Sequence, residues 1–203
     1  MRENLAATLR LLLVTDDALL TGLDVFAVCQ AAVRGGVTAV QLRLKLASDR
    51  DLLALAKRLV AGLTVPVFVN DRLDVAIMAG AAGVHLGGDD LSPALARRIV
   101  PPGFVIGASV GSAAEVERGR AADYWGIGPL HGTATKHDAG AALGLGGAGS
   151  LLAFAEDRPC VVIGGVIPAD VAPAGAAGFA GVAVVRGILA SADVEQAARE
   201  YIL

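Results

Sequence analysis

The 203 residues suffice for one domain with a sizeable core, and a composition 55% apolar and only 18% charged excludes a disordered chain. Ala, Gly, Val and Leu dominate over aromatics at 4%, which suits helices packed on buried parallel strands better than an antiparallel sandwich. A formal net charge of −3 argues against a nucleic-acid surface, and no apolar run reaches the ~20 residues that span a bilayer.

Met1 to Arg10 carries Arg2, Glu3 and Arg10 around a short mixed segment, without a signal peptide's long apolar region, so a cytoplasmic protein is expected. Short apolar runs then recur along the chain as candidate strands: Leu11 to Val14, Ala39 to Leu42, Val65 to Val69, Gly83 to Leu86, Phe104 to Ile106, Tyr124 to Ile127, Cys160 to Ile163 and Gly181 to Val185. Helical composition fills the intervals, as in Leu23 to Arg34, Asp49 to Ala61 and Ser112 to Ala121. Eight repeated βα units with right-handed crossovers close into a barrel, so residues 1–203 are read as one compact (β/α)8 TIM barrel. One long irregular stretch, Gly128 to about Gly149, interrupts the alternation and is a candidate functional loop. Cys29 and Cys160 are too few and too far apart for a zinc cluster or disulfide framework, and read as core thiols.

Chemistry in such barrels sits where strands end and βα loops begin. There the sequence places Gln41-Leu42-Arg43-Leu44-Lys45, Asn70-Asp71-Arg72, Gly87-Gly88-Asp89-Asp90 and Ser109. If the second strand continues through them, Gln41, Arg43 and Lys45 face inward together. Asp71 and Asp90, one strand apart, could share a magnesium ion whose octahedron phosphates complete. Taken singly, each could equally cap a helix, Asp90 the one beginning near Leu91, and Asp89 competes for either role. In the long loop Thr133, Thr135 and Lys136 offer two hydroxyls and an ammonium to phosphate oxygens. His131 and His137 read as solvent-exposed, and His85, in an apolar run, as a satisfied core histidine. Gly164-Gly165 after the seventh strand and Val185-Arg186-Gly187 at the eighth occupy the usual phosphate position of barrels.

Read together, Gln41-Leu42-Arg43-x-Lys45, Asn70-Asp71-Arg72, Gly83-Val84-His85-Leu86-Gly87-x-Asp89-Asp90, Thr133-x-Thr135-Lys136 and Gly164-Gly165 resemble the thiamine phosphate synthase family, over nearly the whole chain. The resemblance implies a magnesium-assisted transferase. It would join a hydroxymethyl aminopyrimidine diphosphate to a hydroxyethyl thiazole phosphate, releasing pyrophosphate. It also implies that Gln41 contacts the pyrimidine, that Arg43, Lys45, Asn70, Ser109 and Lys136 contact the pyrophosphate, and that Asp71 and Asp90 hold the metal. Thr133 and Thr135, with the backbone of Gly165, Val185 and Arg186, would hold the thiazole phosphate. A homo-oligomer is a further expectation from the family. The chain departs from the family pattern at Leu12 (often aromatic), Gly88 (commonly Gln), Gly111 (commonly His), His131 (usually Phe) and Arg186 (often Ser). Two alternatives stand beside this reading: a related thiazole tautomerase, which tends to lack the Asn-Asp and Thr-x-Thr-Lys elements intact here, and a non-catalytic barrel that binds thiamine intermediates.

Overall fold

The computed structural model describes residues 4–132 and 140–202. Thr133, Thr135, Lys136 and His137, singled out by the sequence, lie outside the described residues. Eight parallel strands close into a barrel in chain order: β1 (Leu11–Val14), β2 (Ala39–Leu42), β3 (Val67–Asn70), β4 (Gly83–Leu86), β5 (Val105–Val110), β6 (Tyr124–Ile127), β7 (Cys160–Ile163) and β8 (Gly181–Val184), with β8 pairing β1. The helices are α1 (Leu5–Thr8), α2 (Val25–Arg34), α3 (Asp49–Gly62), α4 (Leu73–Ala79), α5 (Pro93–Arg97), α6 (Ala113–Gly119), α7 (Gly144–Leu152), α8 (Val171–Ala176), α9 (Arg186–Leu189) and α10 (Val194–Arg199). Among the described residues no helix is long and apolar enough to cross a membrane.

Strand periodicity divides the core in two. Leu12, Val14, Ala39, Phe68, Val105, Tyr124, Val161 and Ala183 fill the barrel, whereas their neighbours Leu13, Val40, Val69, Val84, Ile106 and Val162 pack beneath the helices. The interior alternates large and small residues so that its layers interdigitate. Tyr124 takes the space that Gly107 leaves, since a Cβ on Gly107 would lie 2.2 Å from the Tyr124 ring. Leu5 of α1 and Leu9 just after it belong to the same inner cluster and close the N-terminal end of the barrel. At the opposite, C-terminal end the described residues surround a cavity.

Capping side chains fix where several helices begin, because the first backbone N–H groups of a helix lack partners of their own. Asp24 accepts from Phe26 N, Ser48 from Asp51 N, Ser92 from Leu95 N and Ser112 from Glu115 N. Three of the shifts from the expected boundaries have a visible physical cause. β3 starts at Val67 because Pro66 has no N–H for the ladder and enters the sheet only through its carbonyl, which accepts from Val40 N. β5 runs four residues past Ile106, where Gly107 and Ser109 break the apolar pattern but keep the pairing with β4 and β6. The stretch expected to be irregular to about Gly149 becomes helical at Gly144, as α7 buries Ala148 and Leu151 against the core. Both thiols are buried and free, as expected, and burial pushes each up to about 12.

Candidate active site

The C-terminal strand ends enclose a cavity of about 550 Å³. Gln41, Arg43, Lys45, Asn70, Asp71, Asp90, Ser109, Gly165, Val185 and Arg186 all line it, as do Gly88, Asp89 and Gly111. The strand-end residues chosen from sequence therefore converge on one space, although not by the route expected. β2 stops at Leu42, so Arg43 and Lys45 do not share a strand face with Gln41.

The loop after β1 holds them instead. Thr15 Oγ1 accepts from Arg43 N at 2.7 Å and donates to Arg43 O at 3.1 Å, and the Asp16 carboxylate lies 3.4 Å from the Arg43 guanidinium. Asp17 accepts from the backbone N–H groups of Lys45 at 2.8 Å and Leu46 at 3.1 Å. Three consecutive side chains thus clamp the segment carrying both cations. Gln41 is buried and donates through Nε2 to Asn70 Oδ1 at 2.7 Å, linking the ends of β2 and β3.

Asp71 follows Asn70 in a left-handed backbone conformation, φ 62°, uncommon outside glycine and tolerated best by Asn and Asp. Its N–H donates to His85 O at 2.9 Å, and its carboxylate meets the Lys45 ammonium at 3.4 Å. Burial pushes the Asp71 carboxyl up to about 6, the adjacent Asp90 carboxylate adds to the rise, and Lys45 opposes it. Asp90 Oδ2 accepts from Gly87 N at 2.6 Å, which aims the carboxylate back toward the barrel. Neither aspartate caps a helix: Arg72 precedes α4 with no side-chain cap, and Ser92 caps α5. Asp90, not Asp89, is the partner of Asp71.

Among the described residues no three His, Cys, Asp or Glu side chains cluster as a metal cage. A buried carboxyl whose ionisation is opposed by the neighbouring Asp90 carboxylate, with one lysine in compensation, nevertheless suits a hard divalent cation whose other ligands come from phosphate and water.

Further round the barrel His85 is buried and satisfied, as expected, but it also borders the cavity. Its Nδ1 lies 3.0 Å from Tyr124 Oη and its Nε2 3.1 Å from Ser109 Oγ. Gly126 leaves room for the ring, because a Cβ there would stand 3.2 Å from His85 Cε1. Glu115 fills the wall between Gly88 and Gly111: its Oε2 accepts from Gly111 N at 2.8 Å and from Ser112 Oγ at 3.1 Å. A Cβ on Gly111 would lie 2.7 Å from Gly128 O, so that wall has no room for a side chain at 111 without backbone movement.

On the far side Gly164 and Gly165 have φ 94° and 67°, the left-handed region that favours glycine. A Cβ on Gly164 would meet Pro129 at 2.6 Å, and one on Gly165 would meet His131 at 2.9 Å. This close approach lets Leu130 N and His131 N donate to Ile163 O and Gly164 O at 2.8 and 2.9 Å. His131 is exposed, as expected, and its Nε2 pairs with Asp170 Oδ2 at 3.0 Å. Val185 precedes α9 and with Gly165 and Arg186 forms the opposite lip of the cavity. Leu12, by contrast, lies inside the barrel and does not line the cavity.

Sequence reasoning missed Asp16, Asp17 and Glu115. The two aspartates follow the first strand, where the strand-end rule applies equally. Glu115 stands three residues after Ser112, the spacing of a capping box, but nothing local reveals that its carboxylate borders a cavity.

A closed eight-stranded barrel with cations, paired carboxylates and a glycine-lined lip at its C-terminal mouth belongs to the class of (β/α)8 enzymes that handle phosphorylated substrates. Residues 11–188 match the thiamine monophosphate synthase family, and the chain belongs to that family. It is 47% identical to the thiamine-phosphate synthase of Xanthobacter autotrophicus over 94% of this chain and 92% of that protein. It is 45% identical to the synthase of Methanoculleus marisnigri, over 93% and 92%. Among solved structures, a thiamine phosphate pyrophosphorylase from Pyrococcus furiosus superposes with a TM-score of 0.83 at 32% identity, covering 98% of this chain and 96% of that one. A 3-hexulose-6-phosphate synthase, at TM-score 0.68, 19% identity and coverages of 95% and 97%, shares the fold.

Proposed function

We propose that this chain joins a hydroxymethyl aminopyrimidine diphosphate to a hydroxyethyl thiazole phosphate, forming thiamine phosphate and pyrophosphate. The observation that carries this reading is a single cavity holding the carboxylate pair, Arg43 and Lys45 on one side and the Gly165–Val185 lip on the other. Two anionic substrates can thus meet with their reacting atoms between two separate anchors.

In this reading the pyrimidine's methylene–oxygen bond breaks, its electron pair leaves with pyrophosphate, and the thiazole nitrogen supplies the pair for the new carbon–nitrogen bond. The exocyclic amine of the pyrimidine supports the cation between those events, so no protein nucleophile is needed. Because Gln41 Nε2 donates to Asn70, Gln41 Oε1 is left to accept from that amine, and Asn70 Nδ2 to donate to a pyrophosphate oxygen. Arg43, Lys45, Ser109 and Lys136 hold the leaving pyrophosphate and stabilise its growing charge. Asp71 and Asp90 fit magnesium, which when bound would neutralise further charge on pyrophosphate. The backbone of Gly165, Val185 and Arg186, with the Thr133 and Thr135 hydroxyls, receives the thiazole phosphate. A tautomerase's histidine has no counterpart at Gly111, where the backbone of Gly128 leaves no space for one.

The test is pyrophosphate release with both substrates and magnesium, the organic product being identified by mass. Thiamine phosphate formed in step with pyrophosphate is expected. Release that yields only hydroxymethyl pyrimidine, or that ignores the thiazole phosphate, would overturn the assignment.

A further inference from the structure

Tyr124 brings a phenol into the middle of the barrel, where Phe68 lies 5.7 Å away, centroid to centroid, and the His85 ring 5.4 Å. The phenol is fully buried, and burial raises its ionisation well above the usual tyrosine range, so its proton stays on oxygen. A buried O–H must find an acceptor or cost the full desolvation of a donor. Among the described residues the acceptor the structure offers is His85 Nδ1, at 3.0 Å.

Two neutral tautomers can be compared. With the proton on Nδ1, the imidazole donates to Tyr124 Oη, leaves the phenol hydrogen without an acceptor, and takes the Ser109 hydroxyl hydrogen on Nε2. With the proton on Nε2, the phenol donates to Nδ1, Nε2–H donates to Ser109 Oγ at 3.1 Å, and no hydrogen is stranded. A protonated ring would donate at both nitrogens and strand the phenol hydrogen again. Ser109 and His85 both border the cavity while Tyr124 is buried behind them, so the second arrangement has a directional consequence. With its oxygen already accepting from His85, the serine turns its hydrogen toward the ligand.

We propose that Tyr124, through the His85 tautomer, acts as a positioning residue that makes Ser109 a hydrogen-bond donor to whatever anion occupies the cavity. That the anion is pyrophosphate rests on the functional reading above; the tautomer does not. His85 is the satisfied core histidine expected from the sequence, and its partners Tyr124 and Ser109 impose a polarity on it.

The chain holds three histidines, so ¹⁵N-histidine labelling gives a sparse spectrum, and the His85 signals are those lost in His85→Gln. The ligand-free protein is expected to show His85 protonated at Nε2, with Nδ1 in the shifted position of a nitrogen accepting a hydrogen bond. Tyr124→Phe should remove that shift. Protonation at Nδ1 in the unmodified protein overturns the proposal whatever the variants do. Calorimetric titration with magnesium pyrophosphate supplies the second arm. Ser109→Ala should weaken binding by about tenfold or more, as for a hydrogen bond to a charged group. Tyr124→Phe should weaken it severalfold in the Ser109 protein and add nothing in Ser109→Ala. An equal loss from Tyr124→Phe in both backgrounds would make the tyrosine a packing residue only and overturn the relay. Failure of the unmodified protein to bind magnesium pyrophosphate would instead remove the functional reading, with the tautomer still decided by the spectrum.

Discussion

Replacing Asp90 with asparagine should stabilise the metal-free protein while weakening its affinity for magnesium pyrophosphate. Asp71 and Asp90 face each other at the rim, and the Asp71 carboxyl is pushed up to about 6, with burial the larger cause and Asp90 the next. From a starting point near 4, that rise corresponds to roughly 3 kcal/mol in all. Burial keeps its share in the variant, and the Asp71 side chain retains a quarter of its exposure, so solvent screens what remains. The repulsion relieved is then on the order of 1 kcal/mol, which in a chain of this size raises Tm by ~2–4 °C. The exchange is conservative, because the amide oxygen of the new side chain can still accept from the Gly87 N–H, and Arg118 bonds the Asp90 backbone carbonyl rather than its side chain. Thermal melts in chelator should show the rise, and titration with magnesium pyrophosphate should show at least a roughly tenfold weaker complex, since removing even a supporting group of a metal site costs that much. A variant that melts lower without metal, or that binds magnesium pyrophosphate as the parent does, would refute the carboxylate pair as a cation site.

Gly107→Ala should lower stability by ~1–3 kcal/mol, read as a fall of several degrees in Tm, because its Cβ drives into a Tyr124 ring confined by Phe68 and His85. Cys29 and Cys160 should resist alkylation at neutral pH until the chain unfolds, each thiol being pushed up to about 12 by burial. Because these folded values lie above the ordinary thiol range near 9, the stability tied to the two neutral thiols is complete below that range and is lost as pH rises toward 12; denaturant melts at pH 8 and above 10 check the sign. Lys136→Ala should lower the single-turnover rate by about 10² to 10³ with a smaller effect on KM, the pattern of a charge that acts mainly on the departing pyrophosphate.

The barrel is legible because a doubly buried parallel strand must be a short apolar run, and six of the eight runs coincide with observed strands to within one residue at either end. β5 is the instructive exception. Gly107 and Ser109 look like a break, yet each is there for the interior: one yields space to Tyr124 and the other reaches the cavity. α7 errs the other way. Its four glycines lower helix propensity, and only the burial of Ala148 and Leu151, set by the rest of the barrel, overrides that cost.

The site divides along the same line. Residues placed at strand ends by chain position alone, such as Asn70, Asp71 and Ser109, reach the cavity because barrel topology brings every strand end to one rim. The support beneath them is invisible in sequence, because each contact spans tens of residues: Thr15 and Asp16 to Arg43, Asp17 to Lys45, Tyr124 to His85 to Ser109. That support carries a functional consequence. Arg43 and Lys45 stand on a loop rather than a strand, and a loop with two long cationic side chains would ordinarily lose much of its alignment to conformational entropy. Bonds from Thr15 and Asp17 to its backbone, and from Asp16 to the guanidinium, order that loop before any anion arrives. Under the proposed function, charge aligned in advance need not reorganise while pyrophosphate departs, which is where an enzyme without a nucleophile must obtain its rate.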